Sequence, residues 1–304
     1  MNGGVSLATL VAASPALGRA LRGAERAAES GAPILLLGQP GTGRSSVARA
    51  LHRASPRRDG PLVEVDAGAV PATLFESELF GHEAGAFTGA ESAHAGRVAR
   101  AEGGTLVLDR VEALPLAVQP KLLHLLAESR YAPLGGIERA ADVRFIAAGP
   151  EDLAARVGRG LFRADLFYRL EVLTFRLPPL RQRRADLPSL AGHMLADLAR
   201  RFARPVPRLS DDALEWMARH PWPGNLRQLR NVLERAMIAG EGEVLNPPPP
   251  AGAGERRPAS LAEVEKRQIE RALAFTRGHQ GRAAEILGIS RKALWAKRKR
   301  HGIP

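Results

Sequence analysis

The chain of 304 residues has no cysteine, which excludes disulfides, thiolate nucleophiles and cysteine metal sites. It also lacks any apolar run near the roughly 18 residues that a membrane helix requires. The best run, Pro33 to Leu37, is bounded by Gly31 and Gly38. The opening Met1-Asn2-Gly3-Gly4 has no charged stretch followed by an apolar one, so no secretion signal is read and a cytoplasmic location away from membranes is expected. Lysine is scarce as well: of 44 basic residues only Lys121, Lys266, Lys292, Lys297 and Lys299 are lysines, leaving 44 − 5 = 39 arginines.

What the chain does have is apolar material and positive charge. Hydrophobic residues make up 45% and the net charge is +12, enough for a sizeable core and, at this length, for more than one compact unit. Residues 255–304 hold 13 Lys or Arg against 5 Glu, so 13 − 5 = +8 of the +12 is concentrated there. A basic segment of that kind invites a nucleic-acid partner.

Short apolar runs, Pro33 to Leu37, Leu62 to Val65, Thr105 to Leu108 and Val143 to Ile146, alternate with longer segments of helical period. That alternation predicts an α/β fold with a parallel sheet covered by helices. From about Leu180 helical patterns dominate: Asp186 to Phe202, Ser210 to Arg219 and Asn225 to Ala239. The run Asn246-Pro247-Pro248-Pro249-Pro250 cannot be helical and reads as a linker. The expected division is an α/β core over 1–176, a helical lid over 177–240, a Pro-rich linker over 241–259 and a small all-α domain over 260–304. In that last unit a capping box at Ser260 to Glu263 starts a helix through Phe275. Helices over Gln280 to Leu287 and Arg291 to Arg300 follow, the second capped by Ser290.

Gly38-Gln39-Pro40-Gly41-Thr42-Gly43-Arg44-Ser45 follows a predicted strand and precedes a helix, the place of a phosphate-binding P-loop. Glycines there let backbone N–H groups curl around a polyphosphate at the helix start. Gly38, Gly41, Thr42, Gly43, Arg44, Ser45 and Ser46 are therefore the nucleotide-binding candidates, with ATP as the ligand and the Ser45 hydroxyl a ligand for Mg²⁺. Arg44 departs from the pattern, which has Lys at that point. Thr105-Leu106-Val107-Leu108-Asp109 is an apolar strand ending in a carboxylate, the form of a Walker B strand that holds Mg²⁺ through Asp109. The next residue is Arg110, where ATPases of this type carry a Glu that polarises the attacking water, and a guanidinium that stays protonated cannot do that.

The segment Glu76 to Ala90 resembles the bacterial enhancer-binding proteins, the sigma-54-dependent activators of the AAA+ class, whose signature loop stands unaltered as Gly85-Ala86-Phe87-Thr88-Gly89-Ala90. The similarity runs from about Ser14 to Ile303, with no regulatory domain ahead of it in these residues. It implies an AAA+ α/β core with a helical lid, a sigma-54 polymerase contact through residues 85–90 with Phe87 and Thr88 central, and Arg163 and Arg169 as fingers reaching a neighbouring subunit's nucleotide. It also implies Arg227 as the sensor near the γ-phosphate, and a Fis-type helix-turn-helix over residues 281–295. In that helix-turn-helix Ser290, Arg291 and Lys292 would meet base edges and Lys297 a phosphate, while Leu294 packs inward.

Against the family pattern, Arg44 replaces Lys, Arg110 replaces the Walker B Glu, Ala148-Gly149-Pro150 stands at the Thr-Asn sensor, and Asp66 replaces an Asn that partners the Glu. All four departures fall on hydrolysis, so weak or absent ATP turnover is expected of a chain that binds ATP. Arg298, four residues after Leu294, occupies a usually apolar position. The expected assembly is a homo-oligomer or a mixed ring with a competent subunit, on DNA; the rival expectation is a nucleotide-independent DNA-binding regulator that uses the P-loop domain only to oligomerise.

Overall fold

The computed structural model describes residues 6–12, 14–240, 242–250, 265–266, 268–270, 272–273, 276 and 278–303. The chain divides into two compact units, Met1–Pro248 and Pro249–Pro304.

The first unit is organised by a five-stranded parallel sheet of β1 (Ile34–Leu37), β2 (Leu62–Asp66), β3 (Thr105–Asp109), β4 (Arg144–Gly149) and β5 (Leu173–Arg176), in the order β2-β3-β4-β1-β5. Four of these strands were foreseen from their apolar runs. The fifth, Leu-Thr-Phe-Arg, lies at the sheet edge with only Phe175 buried and carries no apolar run. Every residue of β1 is buried, as expected of a strand covered on both faces. Leu35 and Leu37 face one core, with α2 (Ala72–Phe80), α3 (Gln119–Glu128) and α4 (Ala164–Leu170) supplying Phe75, Leu122 and Leu166. Ile34 and Leu36 face the other, against α1 (Arg44–Arg53) and the short helices of residues 7–29. Each such buried Leu contributes about 2 kcal/mol of apolar transfer free energy.

Strand register positions the chemistry. Asp66 is paired with Asp109, Asp109 with Ala148, and Leu37 with Gly149, so all lie along the carboxyl edge of the sheet. Ligands of open α/β sheets bind at that edge.

The lid packs α5 (Leu187–Phe202), α6 (Asp211–Arg219) and α7 (Asn225–Ala239) around the fully buried Trp222, whose indole N–H donates to the Met217 carbonyl at 2.8 Å. Ser210 caps α6 by accepting from the Ala213 N–H at 3.1 Å. Residues Val244–Leu245, read from the sequence as linker, pair with Arg208–Leu209, and the Trp216 indole donates to the Pro247 carbonyl at 2.9 Å, so this stretch packs on the lid.

In the second unit α8 (Gln280–Ile286) and α9 (Arg291–His301) enclose Ala283, Ala284 and Leu294 with Ile269 and Ala272. Gly288 turns the chain between them at a φ of 64°, and Ser290 caps α9. The foreseen capping box at 260–263 lies outside the described residues. Among the described residues no helix is long and apolar enough to cross a membrane.

Candidate functional site

The P-loop joins β1 to α1. Gly41 and Gly43 take φ values of 79° and 104°, the left-handed region that glycine enters freely. Thr42 closes the turn through its hydroxyl, which donates to the Gln39 carbonyl at 2.8 Å. The first amides of α1, which include those of Arg44, Ser45 and Ser46, point out of the helix start without intrahelical acceptors, a ready site for phosphate.

The lid closes on this loop. A β-carbon at Gly41 would lie 2.5 Å from the Gly224 carbonyl oxygen and 3.3 Å from Arg227 Cβ. Asn225, fully buried, donates to the Pro40 carbonyl at 3.1 Å and accepts the Leu180 N–H at 2.7 Å. The buried Arg183 donates to the Thr42 carbonyl at 2.7 Å, and Arg181 donates to the Gln39 side chain at 2.8 Å. Asn225, Arg181 and Arg183 are not among the expected site residues, although all three lie within the span of residues that resembles the family. Arg227 is exposed at the start of α7, and its charge adds a small effect to the Arg110 hydrogen bond that chiefly holds down the pKa of Asp66.

Arg44 is only 7% exposed. Its guanidinium donates from Nη1 to the Gly38 carbonyl at 3.0 Å and lies with Nη2 3.3 Å from Asp109 Oδ1. Asp109 Oδ2 faces the Ser45 hydroxyl at 3.4 Å, and Oδ1 also accepts the Arg110 N–H at 2.9 Å. The two expected Mg²⁺ ligands, Ser45 and Asp109, are therefore brought together, but the carboxylate already has a guanidinium beside it.

Arg110 adopts a left-handed backbone, φ 54°, uncommon for a residue with a side chain. Its side chain lies over Gly68, where a β-carbon would meet Arg110 Cζ at 2.6 Å, and its Nε donates to Asp66. That hydrogen bond holds the Asp66 carboxyl below the usual carboxylate range, and the Gly68 N–H assists at 3.1 Å. At the end of β4, a β-carbon at Gly149 would meet Val111 Cγ2 at 3.0 Å and Leu153 Cδ2 at 3.4 Å, with Glu112 Oε2 beyond them at 3.8 Å. That oxygen is buried with no hydrogen-bond partner among the described residues, and burial pushes the Glu112 pKa up.

The loop 85–90 stands on a two-stranded stem, Gly81–His82 with His94–Ala95. Gly85 and Gly89 carry φ values of 78° and 101°. Phe87 is 41% exposed and touches the chain through an edge contact with the His82 ring, at 5.0 Å between centroids. An exposed aromatic held by glycine turns is suited to burial on a partner. Ala90, by contrast, is buried.

Arg163 pairs with Asp165 at 2.6 Å, and Arg169 donates to the Leu126 and Ala127 carbonyls at 3.0 and 3.3 Å, closing the end of α3. Both expected fingers thus hold contacts within their own chain. In the second unit Ser290 is spent on capping, Arg291 and Lys292 are exposed at the start of α9, and Lys297 is paired with Glu265 instead of extending freely. Glu265 also meets His301 at 2.9 Å, and His301 and Lys297 together lower its pKa to about 2. Arg298 is half-buried, with its Nε unpartnered among the described residues.

Residues 10–176 match the sigma-54 interaction domain, 181–248 the AAA+ ATPase lid domain, and 260–301 the Fis family of bacterial regulatory proteins. The chain is 42% identical over 296 residues to the C4-dicarboxylate transport transcriptional regulatory protein DctD of Rhizobium meliloti, covering 97% of this chain and 64% of that protein. It is 41% identical over 308 residues to the regulatory protein AtoC of Escherichia coli, covering 95% and 67%. The chain therefore spans about two thirds of the length of these relatives. Among solved structures, NtrX from Brucella abortus superposes with a TM-score of 0.74 at 33% identity, over 95% of this chain and 68% of that one. NtrX in complex with ATP gives 0.74 at 32% identity, with the same coverage.

Proposed function

The chain belongs to the family of sigma-54-dependent transcriptional regulators, and from that premise we propose that it binds DNA through its helix-turn-helix and binds ATP at the P-loop while hydrolysing it weakly or not at all. Nucleotide binding is supported by the preserved Gly38 to Gly43 turn, by Ser45 and by the lid residue Arg227, and by a relative of similar fold solved with ATP. The observation that carries the hydrolysis reading is the Arg110 guanidinium held on Asp66 at the end of β3, where the family places a water-polarising acid. Losing one preorganised electrostatic group of this kind costs about 3 kcal/mol of transition-state stabilisation, or roughly a hundredfold in rate. The absent Thr-Asn pair at Gly149 and Pro150 deepens the loss.

DNA contact rests on Arg291 and Lys292, exposed at the start of the capped α9, and sigma-54 contact on Phe87 and Thr88 at the exposed loop tip. Arg163 and Arg169 serve a neighbour's nucleotide once assembly draws them from their present contacts, so a mixed ring with a competent relative is the working assembly.

Steady-state ATP hydrolysis with Mg²⁺ tests the reading, the natural chain being compared with an Arg44→Lys, Asp66→Asn, Arg110→Glu variant. The natural chain is expected to be inert and to stimulate a competent relative on mixing; ready turnover by the natural chain sinks the proposal. A second reading, a regulator that ignores nucleotide, is favoured by the Arg44 hydrogen bond back to Gly38 inside the P-loop. It predicts no binding of ATP and DNA affinity that ATP leaves unchanged.

A further inference from the structure

Nucleotide-binding P-loops commonly present their ligand with Mg²⁺, which takes oxygen ligands, sheds water reluctantly and is drawn in by free carboxylate charge. The carboxyl edge of this sheet holds little such charge. Asp109 lies against Arg44 and accepts the Arg110 N–H, and Ser45 faces its other oxygen. Asp66, the neighbouring carboxylate in register, is bound to Arg110. Glu112, the third acid nearby, has its Oε2 buried without a hydrogen-bond partner among the described residues, a setting that disfavours the charged form. Three guanidiniums, Arg44, Arg110 and Arg227, attend this edge against two paired carboxylates. The usual balance of a metal-bearing P-loop is thereby inverted.

Arg44 itself is built into the cradle. Its side chain is buried and oriented by the Gly38 carbonyl at the mouth of the loop. A guanidinium carries five donors in a rigid fork that matches phosphate oxygens in pairs, and here Nη1 is committed to the loop carbonyl while Nη2 makes only the longer, 3.3 Å approach to Asp109.

We propose that this site takes a nucleoside diphosphate or triphosphate without a divalent cation, with the Arg44 guanidinium in the metal's place against the phosphates. The proposal rests on the nucleotide-binding reading above and departs from the expectation that Ser45 and Asp109 ligate Mg²⁺. Arginine can fill that role where lysine does not, because its fork spans from the loop carbonyl towards Asp109 and still presents donors to an incoming anion.

The test is calorimetric titration of the full chain with ADP, once with Mg²⁺ and once with excess EDTA. The two dissociation constants are expected to agree within about fivefold. An Arg44→Lys variant, whose ammonium lacks the fork, is expected to lose more than about fivefold in affinity when Mg²⁺ is removed. A natural chain that weakens by more than about fivefold in EDTA overturns the inference and leaves nucleotide binding intact. An Arg44→Lys protein as indifferent to Mg²⁺ as the natural chain removes Arg44 from the role. No binding under either condition overturns the nucleotide reading, and this inference with it. If the variant does not fold, the comparison on the natural chain alone still decides.

Discussion

Arg44 and Asp109 should be energetically coupled in the ligand-free protein, and a double-mutant cycle measures by how much. Their charged atoms lie 3.3 Å apart, with the side chains 8% and 30% exposed. At an effective dielectric of about 20 the gross attraction at that distance is about 5 kcal/mol. Desolvating two partly buried ions consumes most of it, leaving a coupling of about 1 to 2 kcal/mol. Arg44→Met also removes the hydrogen bond to Gly38, worth about 1 kcal/mol, so the single variant should lose about 2 to 3 kcal/mol in total. For a unit of this size that lowers the melting transition by roughly 5 to 10 °C. The assay is thermal unfolding of the natural chain, Arg44→Met, Asp109→Asn and the double variant in EDTA without nucleotide, read on the transition of the larger unit. A coupling below about 0.3 kcal/mol would refute the ion pair as a component of the empty site.

Gly41→Ala forces a methyl group against the Gly224 carbonyl at 2.5 Å in a left-handed backbone, so it should cost about 1 to 3 kcal/mol in melting stability and loosen the lid from the P-loop, which ADP titration reads as lost affinity. Phe87→Ala, at an exposed tip, should change stability by less than about 1 kcal/mol while abolishing capture of sigma-54 in a pull-down; retained capture would remove Phe87 from the contact. Glu265 is held near a pKa of about 2, below the ordinary 4.5, so its pairs with His301 and Lys297 stabilise the folded second unit above pH 4.5 and lose that contribution as pH falls towards 2. Circular dichroism melts of the natural chain and Glu265→Gln should therefore differ near neutrality and converge at low pH.

Where sequence pattern and packing demand the same thing, the structure was legible in advance. The fully buried Ile-Leu-Leu-Leu of β1, the α7 boundaries and the Ser290 cap follow from apolar runs and capping chemistry alone. The edge strand β5 escaped because Leu-Thr-Phe-Arg is polar on one side, and the pairing at Val244 escaped because two residues beside a proline run carry no periodic signal. At the candidate site the residue types were legible but their partners were not. Replacement of an acid by Arg110 is visible in the chain; that its guanidinium closes on Asp66, 44 positions away, depends on the β2–β3 register. The pairing of Lys297 with Glu265 likewise arises only when the small unit folds together.

The Asp66–Arg110 pair also constrains how such a site can change over generations. Arg110→Glu alone sets two carboxylates against each other where a pair of opposite charges now rests, and Asp66→Asn alone strips the guanidinium of its counter-charge in a left-handed turn. The two positions are therefore coupled: a glutamate at 110 sits better beside an asparagine at 66 than beside the present aspartate. Neither position changes independently, because the charge left at one opposes exchange at the other.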